Sequence, residues 1–493
     1  MADPNNSGGR FVVGPFNRVE GDLEVTLDIE QGVVTAARVT APLYRGFENL
    51  MLGRPLLDAL VMVPRICGIC SVSQSAAAVA ALADLSGATM PRNGRLASHL
   101  ILASEVLLDH LTHFYLFFMP DFARAEYAAE PWYIEVERRF RAQQGSVLGD
   151  FLPARARFLT VLGLLAGKWP HTLALRPSGT TRPVHGGERH RLLQLLREFR
   201  GFLESRFFAD RLETVLALDS PTALADWTAR RARQGDWACF LNLAESLQLA
   251  SVGQSGAQLL SSGAFPEASV EGGEALFKSG VSENFLRVDR FLPGQIAEDL
   301  SHAWFSASAN PLAPAQGETR PNVDQAGAYT WCKAPRYRGA PAEVGAFARQ
   351  TIDRQPLVHA LALQEGANVR SRVVARGIEV ARLLIAMEDW VRALDDRAPF
   401  YREHTLAESG YGVGFVEAAR GTLGHWLEAE NGQLRRYQIV APTTWNFSPR
   451  DAAGTPGPLE AALSGVTASN GLPGPLVQHV VRSFDPCLAC TVH

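Results

Sequence analysis

Two Cys-x-x-Cys pairs stand near opposite ends of this chain. Cys67-Gly68-Ile69-Cys70 lies close to the start, and Cys487-Leu488-Ala489-Cys490 lies three residues from His493, Cys487 standing 417 positions after Cys70. Such a segment sets two sulfurs on one side of a tight turn, where both can reach one metal centre. Thiolates favour soft or borderline metals: zinc, iron, copper(I) and nickel. A fold that uses both pairs together must carry the chain's two ends into contact. Three readings compete. A structural four-cysteine zinc site keeps its pairs within a few tens of residues, which the long gap opposes. A thioredoxin-like pair opens a helix after a strand in a small βαβ unit, whereas Cys67 follows a helical stretch containing Pro64. A catalytic thiolate-bound transition metal is the third reading, and spacing alone favours it without deciding for it.

The rest of the composition narrows the setting. The chain has 493 residues, 47% of them hydrophobic, enough for a large core made of two or three packed subregions. A net charge of −4 and a pI near 6.3 call for no nucleic acid and no anionic membrane. The opening MADPNNSGGRFVV lacks a basic-then-apolar signal pattern, so we expect no export address and a cytoplasmic protein. The most apolar stretch, Leu100 to Met119, contains Glu105, Asp109, His110 and His113, which reads as a buried helix rather than a membrane span. Cys239 and Cys332 stand alone and read as ordinary buried thiols.

Periodicity predicts an α+β fold, predominantly helical: a long-helix bundle core, a small N-terminal antiparallel sheet and an irregular Gly/Pro-rich insertion with short strands. We divide the chain at residues 1–50 (N-terminal β region), 51–261 (first helical part), 262–345 (insertion) and 346–493 (second helical part with the C-terminal cysteines). Leu23, Val25, Leu27 and Ile29 alternate on one strand face, and Glu30-Gln31-Gly32 turns the chain back through residues 33–39. Residues 71–85 are alanine-rich and predict a helix opening just after Cys70. Further helices are expected over 95–118, 135–166 and 186–218, with residues 167–183 a loop. Arg290-Phe291-Leu292 and Tyr329-Thr330-Trp331 look like strand fragments. Pro356 to Leu394 predicts one long amphipathic helix, and the tail from Gly471 is again helical.

The residues around the cysteines carry a resemblance. RICGICSVSQS at 65–75 and DPCLACTVH at 485–493 look like the two signature segments of nickel–iron hydrogenase large subunits. RVEGDLEV at 18–25, RGFE at 45–48, DHLTHFY at 109–115, GKWPH at 167–171, ARGTLGHW at 419–426 and APTTWN at 441–446 resemble further family segments, in consistent order. The resemblance implies the family fold and a nickel–iron centre held by all four thiolates. Cys67 and Cys487 would be terminal ligands and Cys70 and Cys490 bridging ones, with carbon monoxide and cyanide on the iron.

Heterolysis of dihydrogen needs a metal to take hydride and a base to take the proton. By the resemblance, Arg420 lies above the metal pair, with Asp109 and Asp485 pairing it; a buried charge must be paired, because an unpaired one costs several kcal/mol. Without the resemblance Asp109 would read as a carboxylate beside His110, and Asp485 as a helix cap before Pro486. Glu20 is the implied proton relay near Cys487; otherwise it is a charge on a strand edge. Ala441, Pro442, Thr443 and Leu423 are the implied cofactor-binding positions, with Thr443 and the backbone near Pro442 donating to cyanide. Glu48, the Ile439 carbonyl and His493 resemble the ligands of a structural magnesium, although histidine is unusual for so hard an ion. Lys168 and His171 serve at least as well to stabilise their loop.

Some positions depart from the common pattern. Gln74 stands where many members have histidine, and Ala419 where many have proline. Ile69 and Phe117 stand where common members have smaller residues lining the gas channel, and bulk there hinders dioxygen more than the smaller dihydrogen. Gln74 and the bulky pair resemble the hydrogen-sensing branch, as does a chain ending at His493 with no further extension. The expectation is therefore a slow, dihydrogen-sensing hydrogenase large subunit. Its partners would be an iron–sulfur small subunit, in a heterodimer or a dimer of heterodimers, and a signalling partner such as a histidine kinase. Clusters are expected on the partner because no further cysteine pattern remains here. An energy-conserving uptake hydrogenase of the same fold is the alternative, and a non-catalytic zinc protein is the alternative from another class.

Overall fold

The computed structural model describes residues 9–231, 234–266, 275–468 and 472–493. The opening read for an export signal lies, through residue 8, outside the described residues, as does Gly471.

Strands β1 (Gly9–Val13), β2 (Glu24–Glu30) and β3 (Val33–Thr40) form an antiparallel sheet in that order. Leu23, Val25, Leu27 and Ile29 are buried as the alternation predicts. The turn uses Gln31 (φ 51) and Gly32 (φ 77), left-handed conformations that suit a two-residue hairpin.

Three long helices make the centre. Helix α1 (Ser71–Ser86) opens directly after Cys70. Helix α2 (Arg92–Thr112) runs on into a π-helical turn, His113–Phe118. Helix α3 (Val369–Ala393) packs against α2. The stretch Arg92–Ala123 is long and apolar enough for a membrane span, yet 89% of its most apolar window is buried inside the protein.

The expected single helix over 356–394 is two. Pro356–Glu365 stops at Gly366 (φ 72), and α3 begins at Asn368. The Asn368 side chain accepts from Ser371 N (2.8 Å) and the Ser371 hydroxyl accepts from Asn368 N (2.9 Å), closing a capping box. Nor is α3 amphipathic: Arg372, Arg376 and Glu379 are buried along with its apolar residues, because neighbours surround it. Residues 135–166 resolve into the helices Tyr133–Phe140, Val147–Phe158 and Thr160–Ala166. Neither Arg290-Phe291-Leu292 nor Tyr329-Thr330-Trp331 is a strand. Thr330 makes an isolated bridge to Ala303, and among the described residues the strands of this region are Gly280–Ser282, Ile296–Asp299, Ala334–Tyr337 and Ala342–Glu343. Cys332 is buried as expected, whereas Cys239 is only half-buried.

Besides the short pair Leu175–Arg176 and Gly179–Thr180 inside the expected loop, a larger sheet was not predicted. Strands β4 (Gly410–Ala418), β5 (Gly421–Glu430) and β6 (Gln433–Val440) form an antiparallel meander. Glycines at 410, 412 and 414 hide it, since glycine is depleted in strands. Their use is close approach. A Cβ on Gly412 would meet the Ala81 carbonyl oxygen at 2.1 Å, and one on Gly414 the Ala77 carbonyl oxygen at 2.2 Å. Strand backbone thus lies directly on the alanine face of α1. This contact fixes the β4–β5 hairpin relative to the helix that begins at Cys70.

Candidate metal centre

Folding brings the two cysteine pairs together. Cys67 Sγ lies 3.5 Å from Cys487 Sγ, Cys70 Sγ 2.9 Å from Cys490 Sγ, and Cys487 Sγ 3.0 Å from Cys490 Sγ. All four sulfurs fall within 4.8 Å of one another, buried and free of disulfides. Among the described residues this is the one such cluster of three or more His, Cys, Asp or Glu side chains. Hydrogen bonds from the other sulfurs hold Cys67 well below the ordinary thiol value. Sulfur contacts and burial hold Cys70 and Cys490 well above it. Four buried sulfurs sharing so small a space suit a thiophilic metal that takes them all as thiolates.

Local structure explains the placement. Cys70 precedes the first turn of α1, and Cys487 precedes the short helix Leu488–Thr491. The Glu20 carbonyl accepts from Leu488 N at 2.7 Å, joining the 18–25 segment to the second pair. The Arg45 guanidinium donates to the carbonyls of both Ile66 and Ala489, and its backbone N–H to Val492 O at 3.0 Å. Arg45 therefore staples the two cysteine segments. Sequence reasoning missed it, although it opens the RGFE segment. Cys487 N donates to Thr443 Oγ1 at 3.2 Å.

Arg420 lies in the two-residue turn of the β4–β5 hairpin, where Ala418 pairs with Gly421. Its Nη1 is 2.5 Å from Asp109 Oδ2, its Nη2 is 3.1 Å from both Asp109 Oδ1 and Asp485 Oδ1, and its Nε donates to the Asp485 carbonyl at 3.0 Å. All three side chains are buried. Burial opposes the charge on Arg420, but Asp109, Asp485 and the nearby thiols hold its pKa well above the ordinary value. Burial drives Asp109 up against the pull of Arg420. It also acts on Asp485, where Arg420, His113 and Arg376 win and hold the carboxyl below its usual range. Asp485 has φ 58, a left-handed conformation that costs about 1 kcal/mol outside glycine. Two bonds from Arg420, to its carbonyl and its carboxylate, hold it there.

The other candidates fall around this centre. The Glu20 side chain is half-buried, and burial, then Cys67, raises its pKa. Leu423 is buried on β5, three residues past Arg420. Ala441 and Pro442 start the short helix Pro442–Asn446, which carries Thr443. Gln74 Oε1 is 2.9 Å from His425 Nε2, and His425 Nδ1 is 2.8 Å from Tyr437 Oη. Burial depresses the His425 pKa to about 3, so the ring is neutral. Gln74 Oε1 can only accept, so Nε2 carries the hydrogen and Tyr437 donates to Nδ1. Ile69 and Phe117 are half-buried. Lys168 is exposed, and His171 Nδ1 meets the Pro64 carbonyl at 2.9 Å, a loop anchor. The informative residue of that loop is Trp169, which donates to Glu105 at 3.0 Å. Glu105 also accepts from Val72 N and Ser73 N, both at 2.8 Å, satisfying the start of α1; burial raises its pKa to about 7.

Glu48, Ile439 and His493 meet in a second buried cluster. His493 Nε2 is 3.3 Å from Glu48 Oε1, and its Nδ1 meets the Cys490 carbonyl at 2.5 Å, tying the C-terminus down. Ile439 donates its N–H to Glu48 at 2.8 Å, which places its backbone at this cluster. Lys333 Nζ, unforeseen from sequence, lies 2.9 and 3.1 Å from the Glu48 oxygens and 2.9 Å from Gln438 Oε1. Glu298 Oε2 stands 3.8 Å from the same ammonium, and Glu298 Oε1 is buried without a partner.

Comparison with known proteins agrees with this geometry. A profile described as "Nickel-dependent hydrogenase" matches residues 45–130 and 150–493. The "Periplasmic [NiFeSe] hydrogenase large subunit" of Desulfomicrobium baculatum is 28% identical over 519 residues, covering 98% of this chain and 95% of that one. The "Uptake hydrogenase large subunit" of Rhizobium leguminosarum bv. viciae is 27% identical over 587 residues, covering 99% and 96%. The as-isolated oxidized Ni-Fe-Se hydrogenase from D. vulgaris Hildenborough superposes with a TM-score of 0.83 at 27% identity, covering 99% of this chain and 100% of that chain. The zinc reading falls with these matches. Four converging thiols, a paired guanidinium beside them and a match along nearly the whole chain lead to one conclusion: this chain belongs to the nickel-dependent hydrogenase family, as a large subunit.

Proposed function

We propose that this chain is the catalytic subunit of a low-turnover nickel–iron hydrogenase that senses dihydrogen. The observation that carries the dihydrogen chemistry is Arg420, paired to Asp109 and Asp485 beside four buried thiols. Cys67, Cys70, Cys487 and Cys490 would hold nickel and iron. When bound, that pair supplies the electron-accepting centre at which dihydrogen is polarised. Arg420 offers fixed positive charge in a water-poor site, where it acts more strongly than in water. Glu20, with its carboxyl pKa raised, is suited to take the proton from the thiol side and pass it outward. The Thr443 hydroxyl already accepts the Cys487 N–H, so its own hydrogen remains free to donate to a cyanide on iron. Carbon monoxide is the iron's other expected ligand.

A magnesium fits the Glu48 cluster. Glu48 and Glu298 are both buried, Lys333 supplies one positive charge between them, and an oxygen of Glu298 has no partner. A hydrated divalent cation held by Glu48, the Ile439 carbonyl and His493 would satisfy that surplus.

Sensing is supported by Gln74, whose amide oxygen is taken up by His425, and by the bulk of Ile69 and Phe117. The second reading, an uptake hydrogenase, is favoured by the name of the Rhizobium relative. Both imply an iron–sulfur small subunit, since Cys239 and Cys332 stand apart from the four clustered thiols. The sensing reading adds a histidine kinase and a cytoplasmic location, which cell fractionation checks. The deciding experiment is dye reduction under dihydrogen by the purified complex, with metal analysis and an infrared spectrum. Nickel, metal-bound carbonyl and cyanide stretches and slow turnover are expected. Fast turnover would make it an uptake enzyme, and zinc without nickel would end the dihydrogen reading.

A further inference from the structure

The turn that carries Arg420 takes one local signal, Gly421 (φ 130) at its end, and none from its two central residues. Ala419-Arg420 contains none of the Gly, Asn or Asp that two-residue hairpin turns favour, and both residues are buried. Buried carbonyls need partners, and one side chain supplies two of them. Arg349, on the helix Ala346–Ile352, donates from Nη1 to Ala418 O (2.8 Å) and from Nη2 to Ala419 O (3.0 Å). The same guanidinium pairs with Glu417 Oε2 (2.7 Å) and, in a fork, with Glu379 Oε1 (2.6 Å) and Oε2 (3.0 Å). A planar, rigid guanidinium thus fixes two consecutive peptide planes leading into Arg420.

Glu379 reaches further. Its Oε1 also accepts from His110 Nε2 at 3.0 Å, and its Oε2 from Gln350 at 2.9 Å. His110 is the residue after Asp109 on α2. One carboxylate on α3 therefore references both the turn carrying Arg420 and the turn of α2 carrying its partner Asp109. Glu417 finishes the clamp, accepting from Ser262 N at 2.7 Å and from the hydroxyl of Thr422, two residues past Arg420.

We propose that Arg349 and Glu379 are positioning residues for the reaction, setting the Arg420–Asp109 pair over the four thiols through the carbonyls of Ala418 and Ala419 and through His110. The inference rests on the dihydrogen reading of the centre. An Arg349 that served stability alone would need its carboxylates but no alignment with the Arg420 turn.

The test uses the purified complex of large and small subunits. Arg349→Lys keeps the charge but cannot hold two carboxylates and two carbonyls from one plane. Arg336→Lys is the control: Arg336 is equally buried, pairs with Asp451 (3.0 Å) and donates to the carbonyls of Pro449 and Thr455 (both 3.1 Å), away from Arg420. For Arg349→Lys we expect kcat per bound nickel to fall on the order of tenfold to a hundredfold, with KM for dihydrogen little changed. Shifted infrared stretches of the metal-bound diatomic ligands are also expected, and Arg336→Lys should move neither quantity. In an Arg420→Lys background the Arg349→Lys effect on kcat should largely vanish, because the clamp acts through Arg420. Wild-type kcat and unshifted bands in Arg349→Lys, at a thermal stability matching Arg336→Lys, would overturn the proposal. If Arg349→Lys does not assemble, Glu417→Gln, which leaves Arg349 its Glu379 fork, is read the same way. Failure of both variants to fold would assign the residues to stability and also overturn it. An inactive wild-type complex would instead sink the dihydrogen reading beneath it.

Discussion

Two of the chain's hairpins have turns made by opposite means. The β2–β3 turn stands in solvent on Gln31 and Gly32, both left-handed, and nothing lies within 4 Å of the place a Gly32 Cβ would occupy. Its shape follows from its own letters. The β4–β5 turn is buried, has Gly421 (φ 130) only at its end, and is held by Arg349 on one side and Asp109 and Asp485 on the other. A turn in water needs only favourable backbone angles. A buried turn that presents a charged side chain must have its carbonyls and its charge satisfied from elsewhere, and here the satisfying groups come from segments distant in sequence. The difference teaches where to expect function: in the turn whose buried groups are satisfied by residues far along the chain.

The largest expected effect separates the two turns outright. Arg420→Lys should lower dihydrogen oxidation on the order of a hundredfold or more while nickel content stays near that of the wild type; dye-reduction kinetics with metal analysis measure both. An active Arg420→Lys enzyme would remove the functional half of the contrast. Next in size is the seating of the buried hairpin on α1. Gly414→Ala puts a Cβ within 2.3 Å of two backbone atoms of that helix, which cannot yield as a side chain would. A loss of about 3 kcal/mol is expected, read by chemical denaturation, together with reduced activity as the Arg420 turn shifts.

A third test asks whether the solvent hairpin is fastened only locally. Glu460 accepts from Val39 N on β3 (3.0 Å) and from the Tyr329 hydroxyl (2.8 Å), and burial raises its pKa to about 7. A carboxyl with a raised folded-state pKa binds its proton more tightly when folded. Its contribution to stability is therefore full below the ordinary carboxylate value and is lost as pH climbs through about 7. Glu460→Gln should gain on the wild type between pH 5 and pH 8, by at most about 3 kcal/mol. Parallel pH–stability curves for the two proteins would show that Glu460 does not titrate in this range. The smallest effect is Gly32→Ala, which forces alanine into a left-handed turn with no clash. A loss of about 1 kcal/mol and unchanged activity are expected; an activity loss would break the contrast from the other side.

Legibility follows the same division. The Cys-x-x-Cys segments, the alternation of Leu23 to Ile29 and the helix after Cys70 are local signals and were readable. The break at Gly366 was readable too, from Gly366 and the Asn368–Ser371 cap, and was hidden only by the apolar period running through it. Strands β4 to β6 were not readable, because Gly412 and Gly414 look like breakers until the alanine face of α1 lies against them. Arg349, Glu379 and Lys333 carried no signal at all. Each sits in an ordinary stretch, and its partners are scattered along the chain. The resemblance supplied Arg420, Asp109 and Asp485 by position, and the structure supplied what holds them.

By itself the sequence determined the donor chemistry and the local shapes: four thiols in two turns, one exposed hairpin, and helices that begin where their caps stand. Those depend on neighbours within a few residues, so the order of the letters is enough. Tertiary structure alone decided which buried charge meets which, that Arg45 joins the two cysteine segments, and that one carboxylate, Glu379, meets both Arg349 and His110. Removing a charge from water costs more than any local preference returns, so its partner is chosen by where the folded chain can neutralise it, and sequence distance has no bearing on that choice.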